Sequence, residues 1–149
     1  MEDRIEKSVD LKAPIARVWR ALTDHEEFGQ WFQVRLDGPF AVGEISQGQV
    51  TYEGCSHMKW VAQVEVMETE RRFSFHWCPL SEDASKSFSN EPKTLVEFTL
   101  EEIPGGTRLL VSESGFASLP EGLDREGAWR RNSDGWTQQV QNIAAHVHA

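Results

Sequence analysis

Residues Arg4 to Leu11 alternate, with Ile5, Lys7, Val9 and Leu11 on one face and Glu6, Ser8 and Asp10 on the other. That period of two predicts a half-buried strand. Ala13-Pro14 then opens a helix, because the fixed φ of proline suits the first helical turn and no later one. Ile15, Val18, Trp19 and Leu22 stand at i, i+3, i+4 and i+7, an apolar stripe that docks the helix on a sheet, with Trp19 assigned to the core. Thr23 followed three residues on by Glu26 has the spacing of a capping box, which predicts a second short helix through Phe28 toward Trp31.

The middle of the chain reads as strands. Trp31 to Leu36 is apolar and aromatic and stops at the turn signal Asp37-Gly38-Pro39. Gly43 and Gly48 bracket another short segment, and Gln49 to Tyr52 begins the next strand. Trp60, Ala62, Val64 and Val66 share one face of a long strand, opposite Lys59, Gln63 and Glu65. Phe73, Phe75 and Trp77 repeat the pattern against Arg72, Ser74 and His76, as do Val96, Phe98 and Leu100 against Glu97 and Thr99. Pro79 to Pro92 is polar and reads as an exposed loop, while Pro104-Gly105-Gly106 turns the chain back into Leu109 and Val111. The result is a meandering antiparallel sheet with one wet and one apolar face. Near the end, Trp129, Trp136, Val140, Ile143 and Val147 line one face of a long helix. Gly127 and Gly135 weaken that helix by roughly 1 kcal/mol each relative to Ala, which suggests that something large packs close to its backbone.

An antiparallel sheet with an apolar face must cover it, and the long helix is the cover. A straight helix across a curved sheet leaves an expected cavity open toward the loops, the usual setting of a small-molecule site. Length and composition fit one domain: 149 residues, 39% hydrophobic and 26% charged. The formal net charge of -9 repels phosphate backbones, so nucleic acid is excluded as a partner. No run of 18 apolar residues exists, so no membrane span is expected. The start MEDRIEKSVDLK has no apolar leader, and two cysteines, Cys55 and Cys78, make no disulfide framework. A cytoplasmic location follows as the expectation. Among five histidines, Cys55-x-His57 and His146-x-His148 are the close pairs, and neither has zinc spacing, so no metal and no cofactor is implied.

The order of elements resembles the helix-grip fold of the START-like, or SRPBCC, superfamily. More narrowly, the chain resembles the homologues of the heat-shock-protein-90 ATPase activator. The stretches that carry this are RIEKSVDLKAPIARVWRALTD, HEEFGQWF, RRFSFHW, VEFTLEEIPGGTRLLVSESGF and DGWTQQVQNIAAHV. Two departures stand out: Trp31-Phe32 replaces a usual Trp-Trp pair, and the glycine-rich entry to the middle strands is altered around Cys55 to His57. The resemblance implies a single START-like domain over residues 1–149. Its class is α+β: a curved antiparallel sheet of about six to seven strands wrapped around a long C-terminal helix, with two short helices after the first strand.

Glu113 is the candidate for chemistry. If Leu109 and Val111 face the cavity, alternation places Glu113 on the same face, where a carboxylate is costly unless paired. It is a candidate general acid/base or an anchor for a polar ligand group. Trp31, Trp60, Trp77, Phe98 and Trp136 are candidate aromatic walls of a ligand pocket, with His57 at its mouth. Cys78 has no His-plus-acid arrangement, and Ser112 and Ser114 lie in no Gly-x-Ser-x-Gly elbow, so neither a catalytic thiol nor a serine hydrolase is supported.

Three functions compete. The leading one is a small hydrophobic or amphipathic ligand held between sheet and C-terminal helix. The resemblance implies an alternative, a stress-response protein that engages the ATP-dependent heat-shock chaperone; two-domain activators carry a separate chaperone-binding domain, for which 149 residues leave no room. The third is a cyclase- or dehydratase-like enzyme using Glu113, an activity the superfamily resemblance implies. An exposed edge strand such as Arg4 to Leu11 also offers a route to a homodimer.

Overall fold

A computed structural model of the protein describes residues 3–51, 59–77, 93–119 and 125–148. The elements run β1 (Arg4–Leu11), α1 (Ile15–Thr23), α2 (His25–Phe32), β2 (Val34–Leu36), β3 (Ile45–Val50), β4 (Lys59–Glu68), β5 (Arg72–Trp77), β6 (Thr94–Ile103), β7 (Gly106–Ser114) and α3 (Arg125–His148). The seven strands form one sheet in the order β1-β7-β6-β5-β4-β3-β2, every pair antiparallel. Only β1 departs from a simple meander, crossing to pair with β7 along its whole length. The expected α+β helix-grip architecture is therefore present, with α3 packed on the concave face.

Register fixes which side chains share that face. Ile5 pairs with Glu113, Glu113 with Val96, Val96 with Phe75 and Phe75 with Val64. Because side chains directly opposite point the same way, this row and its neighbours at two-residue steps make one inner surface. Phe73, Phe75, Phe98, Val96, Leu109 and Val111 on it are all 0–1% exposed. Each such side chain contributes about 1.5–3 kcal/mol by leaving water. On the outer face Arg72 and His76 are half-exposed as alternation predicts, but Ser74 between them is fully covered. Ser74 stands between Glu97 of β6, which is ion-paired to Arg72, and Val66 of β4, turned to this face by a register shift after Val64.

Several local expectations give way. The second helix is capped by Asp24, whose carboxylate accepts from the backbone N–H groups of Glu26 and Glu27. Thr23 instead donates its hydroxyl back to the Trp19 carbonyl in the last turn of α1. Trp31 and Phe32 remain helical, and Gln33 ends α2 in the left-handed region at φ 70°. The following strand is therefore only three residues long. Gly48 does not bracket a segment but lies inside β3, where a Cβ would collide with the Arg35 carbonyl oxygen of β2. Trp19 is half-buried against the core, which leaves Val18, Ala21 and Leu22 as the buried face of α1. Cys55, Cys78, His57 and the expected Pro79 to Pro92 loop lie outside the described residues.

The C-terminal end of α3 is fastened by its two histidines. His148 Nε2 accepts from the Lys12 backbone N–H at 2.9 Å, and His146 Nε2 lies 2.9 Å from Glu27 Oε1. Among the described residues no helix is long and apolar enough to cross a membrane.

Candidate functional site

The expected space between sheet and helix is largely occupied by rings. Phe28 stacks on Phe32 and meets Trp31, Phe40 and Trp60 edge-on. Trp60 continues the chain of contacts to Phe75 and Trp77, and Phe98 joins Trp31, Phe73 and Trp136. Centroid separations of 4.9–6.4 Å with mostly edge-to-face angles are those of a packed aromatic core. Period-2 alternation puts these residues inward but says nothing of their summed volume, which is why a filled concavity was not legible.

Trp31 and Trp60 are spoken for within this core. The Trp31 indole donates to the Ala21 carbonyl at 2.7 Å, and that of Trp60 to Ser46 Oγ at 3.0 Å. Phe98 is 1% exposed beneath Trp136. The structure thus brings together Trp77, Glu113 and Trp136 and sets Trp31, Trp60 and Phe98 behind them.

Glu113 stands at the end of β7 and is fully buried. Four side chains donate to it. Oε1 accepts from the Trp136 indole at 2.9 Å; Oε2 accepts from the Trp77 indole at 2.7 Å and from Thr94 Oγ1 at 2.5 Å. Asn132 Nδ2 reaches both oxygens at 3.0 Å. Indole N–H and amide NH2 groups can only donate, so the pocket around the side chain is complementary to a carboxylate, which only accepts. Three elements meet here: β5 and β6 supply Trp77 and Thr94, and one face of α3 supplies Asn132 and Trp136 at i, i+4.

Beside this network lies an open cleft of about 170 Å³. Phe32, Trp77 and Trp136 are its aromatic walls, and Asn132, Gly135 and Gln139 its helical side. Gln139 also donates to the Phe32 carbonyl at 3.1 Å, pinning the end of α2 to α3. Gly135 does not make room for a packed neighbour, as the sequence suggested. A Cβ there would meet nothing within 4 Å, so the glycine leaves the cleft open. A larger hollow of about 340 Å³ lies far from the rings, between the β1–α1 connection and the β6–β7 turn. It is lined by Lys12, Pro14, Glu102 and the turn glycines, with no converging set of buried polar side chains.

Three residues of this site escaped the pattern reading. Thr94 sits two positions before Val96, so alternation already placed it inward. Asn132 sits one helical turn before Trp136 on the same face, but a lone polar residue on a helix reads as solvated. Phe32 was visible only as the partner of Trp31. Among the described residues no three His, Cys, Asp or Glu side chains are grouped to hold a metal ion.

Solved structures share this architecture. DynU16, from the dynemicin biosynthetic locus, superposes with a TM-score of 0.76 at 24% identity, covering 100% of this chain and 48% of that one. The chain thus spans about half the length of DynU16. Protein MLL2253 from Mesorhizobium loti gives a TM-score of 0.76 at 23% identity, covering 97% and 96% of the two chains. CalU16 from Micromonospora echinospora gives 0.64 at 19% identity, covering 97% and 75%. These likenesses establish the START-like fold. Among curated proteins none matches the chain. The model of the family described as activator of Hsp90 ATPase homolog 1-like protein matches residues 12–148, nearly the whole sequence. The chain belongs to that family.

Proposed function

We infer that the protein binds a small, largely apolar ligand in the cleft over Trp77 and Trp136. The observation that carries this is the pairing of two indoles, both held by the buried Glu113, with a mid-helix glycine whose missing side chain keeps the space above them open. Gly in a helix interior costs roughly 1 kcal/mol relative to Ala, a cost with no packing reason at this position. At about 170 Å³ the cleft accepts one ring system or a short chain, with the remainder of a larger ligand extending outward. The START-like fold and the family membership fit a small-ligand protein.

Glu113 supports this reading better than an enzymatic one. A general base needs an acceptor free for the substrate proton, whereas both oxygens of Glu113 already accept from protein donors. Its work here is to hold two indoles in place.

The test is a tryptophan-fluorescence and thermal-shift titration with a panel of small aromatic and amphipathic compounds, on the natural chain and on Gly135→Leu. Saturable quenching with stabilisation in the natural chain, lost in the leucine variant with its fold intact, is the expected result. A panel without any saturable binder, or binding indifferent to Gly135→Leu, overturns the reading.

A further inference from the structure

Asn132 carries information about what the cleft accepts. Its side chain lies between the buried carboxylate and the cleft, and its Nδ2 donates to both oxygens of Glu113 at 3.0 Å. That contact settles which way round the amide stands: reversed, its carbonyl would face two carboxylate oxygens, acceptor against acceptor. The Oδ1 atom is therefore the end of the amide turned away from Glu113, and no group among the described residues donates to it. The neighbouring polar group Gln139 is different, since its Nε2 is bound to the Phe32 carbonyl and its Oε1 to Asn142 Nδ2 at 3.0 Å.

We propose that the cleft selects a neutral planar ring bearing an N–H or O–H donor, with Asn132 Oδ1 as the acceptor and Trp77 and Trp136 as the ring's apolar contacts. The proposal rests on the ligand-binding reading above and adds the chemical class. A ring carrying only acceptors finds Oδ1 opposed to it, and an anionic ring meets in addition the buried Glu113 carboxylate, whose partners Trp77, Thr94, Asn132 and Trp136 are all uncharged. The formal net charge of -9 acts in the same direction. Arg131 at the lip is already engaged by another group of the chain, so it is not a free cation for an anionic ligand. Glu113 sets the preference without touching the ligand, by dictating the orientation of the amide.

Three probes of nearly equal shape test this: 2-naphthol, 2-methylnaphthalene and 2-naphthoate, titrated by tryptophan fluorescence and calorimetry. The expected order is naphthol tightest, by roughly three- to tenfold over methylnaphthalene, the worth of one neutral hydrogen bond, with naphthoate weakest. In Asn132→Ala the naphthol-to-methylnaphthalene ratio falls toward one. Equal affinity of naphthol and methylnaphthalene in the natural chain overturns the proposal while leaving the ligand-binding reading standing. Tightest binding of naphthoate also overturns it, because the polar contact then belongs to a cation. Binding of none of the three overturns both. Because the ratio is read first in the natural chain, an Asn132→Ala protein that fails to fold does not shield the proposal.

Discussion

At Glu113 hydrogen-bond arithmetic constrains what substitution can do. Each carboxylate oxygen accepts from an indole, Oε1 from Trp136 and Oε2 from Trp77. An amide has one oxygen and one NH2, so Glu113→Gln must turn its NH2 toward one of the two indoles whichever way it is set. The two sides are not equivalent, because Thr94 on the Oε2 side can rotate its hydroxyl to accept. The glutamine therefore points its nitrogen at Thr94 and Trp77, and the Trp77 indole is expelled. Loss of one buried hydrogen bond with a donor left unsatisfied costs about 1–3 kcal/mol. The expected result is lower stability in urea, a changed near-UV circular dichroism and weaker ligand quenching. Trp77→Phe removes the clashing donor, so Glu113→Gln should cost markedly less in that background than in the natural chain. A double-mutant cycle by urea unfolding measures the difference, and simple additivity would show that the two groups do not act as a unit.

Among the elements, the strands were the most legible and the cover of the sheet the least. Alternation placed β1 at Arg4–Leu11 and put Glu113 on the inner face, because in a sheet with one buried face a single-residue slip would turn every side chain outward. Caps were less legible: Thr23 and Asp24 are adjacent and both are good capping types, and only the fold shows that Asp24 takes the role. Of the site, Trp77, Glu113 and Trp136 were in view, while Asn132 and the filled volume behind them were not, since neither polarity nor period reports which polar helix residue meets a buried carboxylate. Gly135 in α3 was noticed, but its surroundings are open space where close packing was expected. That openness yields a prediction about the helix itself. Gly135→Ala introduces no contact within 4 Å and gains roughly 1 kcal/mol of helix propensity. Differential scanning calorimetry should therefore show a melting temperature higher by about 2–4 °C. A decrease would mean that the glycine serves a backbone conformation and not an open cleft.

Across the whole molecule, the three helices are joined to one another at a single carboxylate that is not part of the cleft lining. Glu27 on α2 accepts from Arg17 Nη1 and Arg20 Nε of α1, at 2.5 and 2.6 Å, and lies 2.9 Å from His146 Nε2 of α3. Burial by itself would push the pKa of this side chain, which is 19% exposed, upward. The hydrogen bond with His146 and the hydrogen bonds and charges of Arg17 and Arg20 together outweigh it, and hold the carboxyl below its ordinary value of 4.5. The sign follows from proton linkage. Below the ordinary value the unfolded chain takes up a proton on Glu27 before the folded chain does, so the contribution of Glu27 to stability is full above about pH 4.5 and is lost as the pH falls through the lower folded value. Glu27→Gln removes this dependence together with the ionic hydrogen bonds, at a cost of about 1–3 kcal/mol at pH 7. Urea midpoints of the natural and variant chains measured from pH 7 downward should therefore keep their gap to about pH 4.5 and converge below it. A constant gap at every pH would assign the loss to packing at the α1–α2–α3 junction instead of to the charge. The cleft lies along the middle of α3, beside Asn132 and Trp136, and neither Glu27 nor His146 lines it, so in the Glu27→Gln protein that remains folded at pH 7 the Trp77 and Trp136 near-UV bands should persist while the unfolding midpoint falls.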